Sequence, residues 1–167
     1  MPIFDRVMNG PGTELRKVVE RSISQLRAMS DVQVSRPRVE GKWSPKEIIG
    51  HLIDSASNNH GRFVRAQLTA DLRFQGYAQD DWVRVQHYRD ANWSALIDLW
   101  LGINLHIARV MDSTPEDLRM TERAEHNLQE VGFRELPEGE QATLDWFMHD
   151  YVEHLKHHLR QIDPRLG

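Results

Sequence analysis

The sequence predicts an all-α domain, most economically a four-helix bundle, with long loops between its second and third and its third and fourth helices. Three observations lead there. Four segments repeat apolar residues on a helical period, several of them open on helix-start chemistry, and no stretch alternates apolar and polar residues as a half-buried strand would. A length of 167 residues suits one domain around a single core.

The elements follow in order. Gly10, Pro11 and Gly12 break any earlier structure, and Thr13 is placed to cap a first helix running to about residue 29, with Leu15, Val18, Val19, Ile23 and Leu26 on its apolar face. Residues 31 to 42 contain Pro37 and Gly41, have no period, and read as a connection. The clearest helix start is Trp43-Ser44-Pro45-Lys46-Glu47. Ser44 caps, Pro45 takes the first position where no backbone donor is needed, Glu47 closes a capping box, and Trp43 is placed to pack back onto Ile48. This second helix carries Ile48, Ile49, Leu52, Ile53, Ala56, Phe63, Val64 and Leu68 and is expected to end near Asp71. Residues 72 to 92 read as a long loop with a short helical turn. The third helix spans about 92 to 112, and a short turn begins at Ser113. Residues 119 to 142, with Gly132, Pro137 and Gly139, read as a polar connection able to form a small hairpin, and Thr143 opens the fourth helix.

Composition excludes several function classes. A formal charge of −4 argues against nucleic acid as the main partner, because phosphate binding relies on concentrated basic surface. The basic residues Arg16, Lys17, Arg21, Arg27, Arg36 and Arg38 are interleaved with Glu14, Glu20 and Asp31 and read as a solvated face. No apolar run approaches the ~20 residues that span a bilayer, and residues 1 to 5 lack signal-peptide blocks, so no membrane partner and a cytoplasmic location are the expectations. With no cysteine, a metal would have to be held by His or carboxylate, and thiol chemistry would need a thiol from outside. There is no Gly-x-Ser-x-Gly, no phosphate-cradling Gly-Lys-Ser/Thr loop and no dinucleotide fingerprint.

The histidines are distributed unevenly. Of nine, four (His149, His154, His157 and His158) crowd into ten positions of the fourth helix. At ~100° per residue, Leu144, Met148, Tyr151, Val152, Leu155, Leu159 and Ile162 form one apolar stripe; His158 lies roughly 50° from its centre, His154 roughly 90° and His157 about 150°. His154 and His158 are therefore the pair able to share a metal ion, on the flank of a buried stripe, and His157 faces solvent. Such a pair also arises on any amphipathic helix, and a catalytic zinc usually takes three protein ligands plus an open position. Helical phase does not supply the third: His51 lies more than ~100° from the centre of its helix's apolar stripe.

A resemblance does supply it. Trp43-Ser44-Pro45-Lys46-Glu47, then His51-Leu52-Ile53-Asp54-Ser55 on one helix, and His154-x-x-x-His158 followed by Arg160-Gln161-Ile162 on the last, resemble the DinB-like superfamily, especially its YfiT-like branch. The resemblance runs from the first helix to Ile162. It implies a four-helix bundle holding a divalent metal, commonly zinc or nickel, through His51, His154 and His158. Many members continue the second His into Arg-Gly-Gln where this chain has Leu159-Arg160-Gln161, which leaves the subfamily and its substrate open. The resemblance further implies a small-molecule substrate and a homodimer, since relatives often pair through helix faces.

Three neutral imidazoles leave a bound zinc its full charge, so it can acidify a water or hold an external thiol as thiolate. Hydrolysis would also want a carboxylate base, and the sequence has no His-Glu-x-x-His. Asp54, one turn after His51, and Asp150, one turn before His154, are candidates to orient ligand imidazoles, or are solvated helix carboxylates. Characterised relatives include thiol-dependent S-transferases and a maleylpyruvate isomerase that uses a low-molecular-weight thiol. The favoured expectation is a metal-dependent enzyme that activates such a thiol for transfer to a small electrophile. A metal-dependent hydrolase is the alternative, and a non-catalytic, metal-binding dimeric module the second.

Overall fold

A computed structural model of the chain describes residues 10–139 and 141–167, so the reading of residues 1 to 5 lies outside what it covers. Four long helices carry the fold: α1 (Pro11–Arg27), α3 (Pro45–Arg65), α5 (Trp93–Ser113) and α8 (Leu144–Ile162). Short helices fill the connections: α2 (Asp31–Ser35), α4 (Gln79–Val85), α6 (Glu116–Met120) and α7 (Leu128–Val131), with a 3-10 turn at Tyr88–Asp90. There is no strand among the described residues, only a parallel bridge between Leu72 and His126.

The long helices close a ring in which α1 packs on α5, α5 on α3, α3 on α8, and α8 back on α1. Consecutive long helices such as α1 and α3, or α5 and α8, therefore take diagonal places. That arrangement requires long connections, and it makes α3 and α8 direct neighbours. Each helix buries the stripe its period marks: Leu15, Val18, Val19 and Leu26 on α1, and every one of Leu144, Met148, Tyr151, Val152, Leu155, Leu159 and Ile162 on α8. Gly12 lets α1 approach α5, because a Cβ there would stand 2.6 Å from the Ala108 carbonyl oxygen.

The Ser44 box forms as expected. Ser44 Oγ accepts from the Glu47 amide and the Glu47 carboxylate accepts from the Ser44 amide at 2.8 Å. Thr143 caps α8 by accepting from the Trp146 amide at 3.0 Å.

Several boundaries differ from the sequence reading. The N-cap of α1 is Gly10 with Pro11 in the first turn, not Thr13, since proline needs no donor partner there. Helix α3 stops at Arg65, short of Asp71; Leu68, which continues the apolar period, is 82% exposed. The connection at 31 to 42 holds α2, opened by a Ser30–Gln33 capping box that its polarity concealed. Helix α5 is long and apolar enough, by length and composition, to cross a membrane, contrary to the sequence expectation; here it packs between α1 and α3.

No hairpin forms among the described residues of 119 to 142. That segment pairs instead with the α3–α4 connection: Leu72 donates its amide to the Glu125 carbonyl at 2.9 Å and accepts from the Asn127 amide at 3.1 Å. Asn127 adds two side-chain bonds to the Phe74 backbone, and buried Arg123 donates to the carbonyls of Ala66, Thr69 and Leu118. Backbone polar groups of two crossing loops are satisfied by each other, which fixes both as walls beside α3 and α8.

Candidate metal centre

Helices α3 and α8 bring His51, His154 and His158 together. Each offers one ring nitrogen, and the three nitrogens lie within 4.8 Å of one another. His51 Nε2 and His154 Nε2 are 3.1 Å apart. Donors about 2.0–2.1 Å from one tetrahedral zinc would stand roughly 3.3–3.4 Å apart, so the spacing fits a shared ion.

The protonation states fit as well. Burial, then repulsion from His158, pushes His51 down to about 3. Burial followed by the neighbouring imidazoles holds His154 well below its ordinary value, and burial outweighs the Gln161 bond to lower His158. Neutral rings expose lone pairs, and lone pairs converging at this distance favour a cation between them.

Outer partners orient the rings. His158 Nδ1 lies 2.8 Å from Gln161 Oε1, an acceptor, so Nδ1 carries the proton and Nε2 keeps its lone pair. His154 Nδ1 lies 3.4 Å from Ser55 Oγ, a hydroxyl able to donate or accept, which orients the ring. His51 is held by packing: its Nδ1 is buried without a hydrogen-bond partner and the Trp43 ring sits 4.9 Å away. Trp43 thus covers the triad, reaching 6.3 Å from His158, where the sequence suggested a staple on Ile48. Phe133 closes the other side, 5.4 Å from the His154 ring. His157 is exposed and bonds to Gln161 Nε2, in keeping with its helical phase.

The orienting role expected of Asp54 and Asp150 falls to Gln161 and Ser55 instead. Asp54 Oδ1 accepts from the Tyr88 hydroxyl at 2.6 Å and from Gln86 at 2.8 Å, which ties the 3-10 turn to α3. Burial raises the Asp54 carboxyl despite those two bonds. Asp150 accepts from the amides of Phe133 and Arg134 at 2.7 and 2.9 Å and from Arg134 Nε at 3.0 Å. It anchors the loop that brings Phe133 to the triad. Being one turn from a ligand was a poor guide because loops from elsewhere reach those carboxylates first. Gln161, three residues after His158 on the same helix face, was findable by spacing.

Two cavities meet at the centre. One, of about 330 Å³, is lined by Ser55, Asn59, Arg62, Tyr77, Phe133 and His154 among others. The second, of about 630 Å³, lies against Arg38, Lys42, Trp43, Asp80 and Gln161. His158 lines both. From the connection after α3, Tyr77 faces the first cavity and Asp80 the second, whereas Tyr88 is buried on Asp54. His60 and His106 pair with each other, ring centres 5.0 Å apart, away from the triad.

Comparison with known proteins bears on the fold and the family. A search of curated proteins gave no significant match. A solved structure, YfiT from Bacillus subtilis, described as a probable metal-dependent hydrolase with an unusual four-helix bundle topology, superposes with a TM-score of 0.69 at 20% identity, covering 92% of this chain and 84% of its own. The family model of the DinB superfamily matches residues 14–162, a span that holds all four long helices apart from the first turn of α1 and includes the whole histidine triad. The chain belongs to the DinB superfamily.

Proposed function

We propose that the protein is a divalent-metal enzyme, with zinc or nickel at His51, His154 and His158, that activates a low-molecular-weight thiol for transfer to a small electrophile. The observation that carries this reading is a triad of neutral imidazoles whose cavity of about 330 Å³ has, among the described residues, one lining acid, and that acid is committed to other donors. Asp150, the acid lining it, already accepts three hydrogen bonds from Phe133 and Arg134. Hydrolysis would need a base beside the attacking water, whereas a thiol needs only to lose one proton. When bound, the ion supplies the positive charge that favours the deprotonated thiol.

The chain's own residues do the rest. Gln161 holds His158 in the tautomer that leaves the Nε2 lone pair free, and Ser55 orients the His154 ring. Trp43 and Phe133 limit water around the rings. The two cavities meeting at His158 give separate approaches for two reactants. As the sulfur–carbon bond forms, the leaving group departs with its electron pair and the thiol proton passes to solvent.

A metal-dependent hydrolase is the second reading, favoured by the description of the B. subtilis structure. Thiol consumption against a chloronitrobenzene, run in parallel with ester and amide hydrolysis, separates the two: turnover of esters without thiol consumption would replace the first reading with the second. Elemental analysis of His51→Ala, His154→Ala and His158→Ala tests the site beneath both. Loss of a ligand should cost each variant more metal affinity than the ~10–100-fold typical of a lost outer partner, and full metal content in all three would remove the site. A homodimer in the cytoplasm is part of the same proposal, and light scattering of the purified protein reads the dimer.

A further inference from the structure

Helix α3 carries a polar row on the face that holds His51. Ser55, Asn59 and Arg62 follow at steps of four, four and three residues, all are buried, and each is bonded to the next. Arg62 Nη1 donates to Asn59 Oδ1 at 3.3 Å, Asn59 Nδ2 donates to Ser55 Oγ at 3.3 Å, and Ser55 Oγ meets His154 Nδ1 at 3.4 Å. All four line the same cavity of about 330 Å³.

Arg62 is the anomaly in that row. It is 5% exposed, yet no carboxylate pairs with it among the described residues. Its other bond is from Nη2 to the Gln75 carbonyl at 2.6 Å, and its guanidinium sits 6.0 Å from the Phe74 ring. Two neutral acceptors occupy two of its five donors, and the residue lines the cavity. Arg123, the other buried arginine without an acid, contrasts with it. That guanidinium is spent on the carbonyls of Ala66, Thr69 and Leu118 and lies outside the cavity. A buried cation left uncompensated at the wall of a reaction chamber is a receptor for an anion, because burial without one is costly.

We propose that Arg62 anchors a carboxylate on the molecule that enters this cavity to react at the triad, so the site selects elongated acidic substrates. Arginine's planar fork matches a carboxylate bidentately. Eleven residues of helix separate His51 from Arg62 by ~16 Å along the axis, and the arginine stem leans back toward the N-terminus, which leaves roughly 10 Å between anchor and reacting atom. The proposal rests on the thiol-transfer reading for its substrate but not for its anion.

The test is calorimetric titration of the zinc-loaded protein with 3-mercaptopropanoate, 6-mercaptohexanoate and 8-mercaptooctanoate against the mercapto-alcohols of equal length. At the length that bridges anchor and metal, the acid should bind at least about ten-fold tighter than the alcohol, as one charge-assisted contact implies. Arg62→Gln should abolish that advantage and Arg62→Lys keep part of it. Equal binding of acid and alcohol at every length in the wild type overturns the proposal, as does an advantage that survives Arg62→Gln. Should Arg62→Gln lose zinc or melt early, the wild-type and Arg62→Lys titrations decide. Should no thiol bind, the thiol reading fails by itself. Hexanoate and octanoate against their primary amides then judge Arg62: an acid preference reduced in Arg62→Lys or lost in Arg62→Gln sustains the anchor, and no preference, or one that neither variant lowers, sinks it.

Discussion

His51 Nε2 and His154 Nε2 face each other at 3.1 Å across the contact between α3 and α8, on rings that burial keeps neutral. The core on either side is apolar and continuous, from Ile49 and Leu52 on α3 to Leu155 and Leu159 on α8. The bundle therefore stands without the ion, and the ion adds stability by mass action. Chelation of protein held at a hundred-fold excess of metal over Kd should remove about 2.7 kcal/mol, or roughly 5–11 °C in melting temperature, and leave the helical signal intact. Loss of helix on chelation, read by circular dichroism, would mark the metal as structural instead.

Gln161 holds the His158 tautomer from an exposed position. Gln161→Leu should weaken metal affinity by about 10–100-fold while stability stays within about 0.5 kcal/mol. Competition against a colorimetric chelator measures the first and urea unfolding the second. Asp150→Asn should do the opposite: it removes a buried acceptor of three bonds and should cost about 2–3 kcal/mol through loosening of residues 133 and 134, with a far smaller change in metal affinity.

Gly50 immediately precedes His51, and a Cβ there would fall 2.2 Å from the Tyr88 ring. Tyr88 lies flat on the helix backbone and reaches Asp54 only because that space is empty. Gly50→Ala should destabilise the fold by about 1–3 kcal/mol, despite alanine's better helix propensity. Urea unfolding checks it, and a stabilised variant would show that the 3-10 turn yields freely.

Glu14 joins α1 to α8. It pairs with Lys156 and accepts from His149 at 3.2 Å, with Glu153 on Lys156 and Asp145 near His149 completing the cluster. Burial acts to raise the Glu14 carboxyl, but Lys156 and His149 outweigh it and hold the group below its ordinary 4.5. A depressed carboxyl contributes stability that is full above the unfolded value and is lost as pH falls through the folded one. Glu14→Gln should therefore melt below the wild type near neutrality, and the gap should close as pH drops under about 4.5. Melting curves from pH 3 to pH 7 read this, and a gap independent of pH would deny Glu14 the role.

The sequence by itself determined the four long helices and two of the three histidines of the candidate centre. The apolar period survives in α8 residue for residue because one face of that helix is buried and the other wet, and the same phase separates His154 and His158 from exposed His157. Ser44-x-x-Glu47 and Thr143 were legible because caps are local chemistry. His51 came from resemblance alone. Every residue from 47 to 56 is buried, so α3 is covered on all sides and its polar face leaves no mark in an apolar period.

Only the tertiary structure decided what surrounds the triad. Which helices are neighbours is set by the diagonal connectivity, and that alone brings His51 to His154 across 103 positions of chain. The pairing of the two long connections through Leu72 and Asn127 decides where Tyr77 and Phe133 stand. Asp54 and Asp150 were drawn away by Tyr88 and by the Phe133 and Arg134 amides because a buried carboxylate takes whichever donors folding delivers, and those donors come from distant segments.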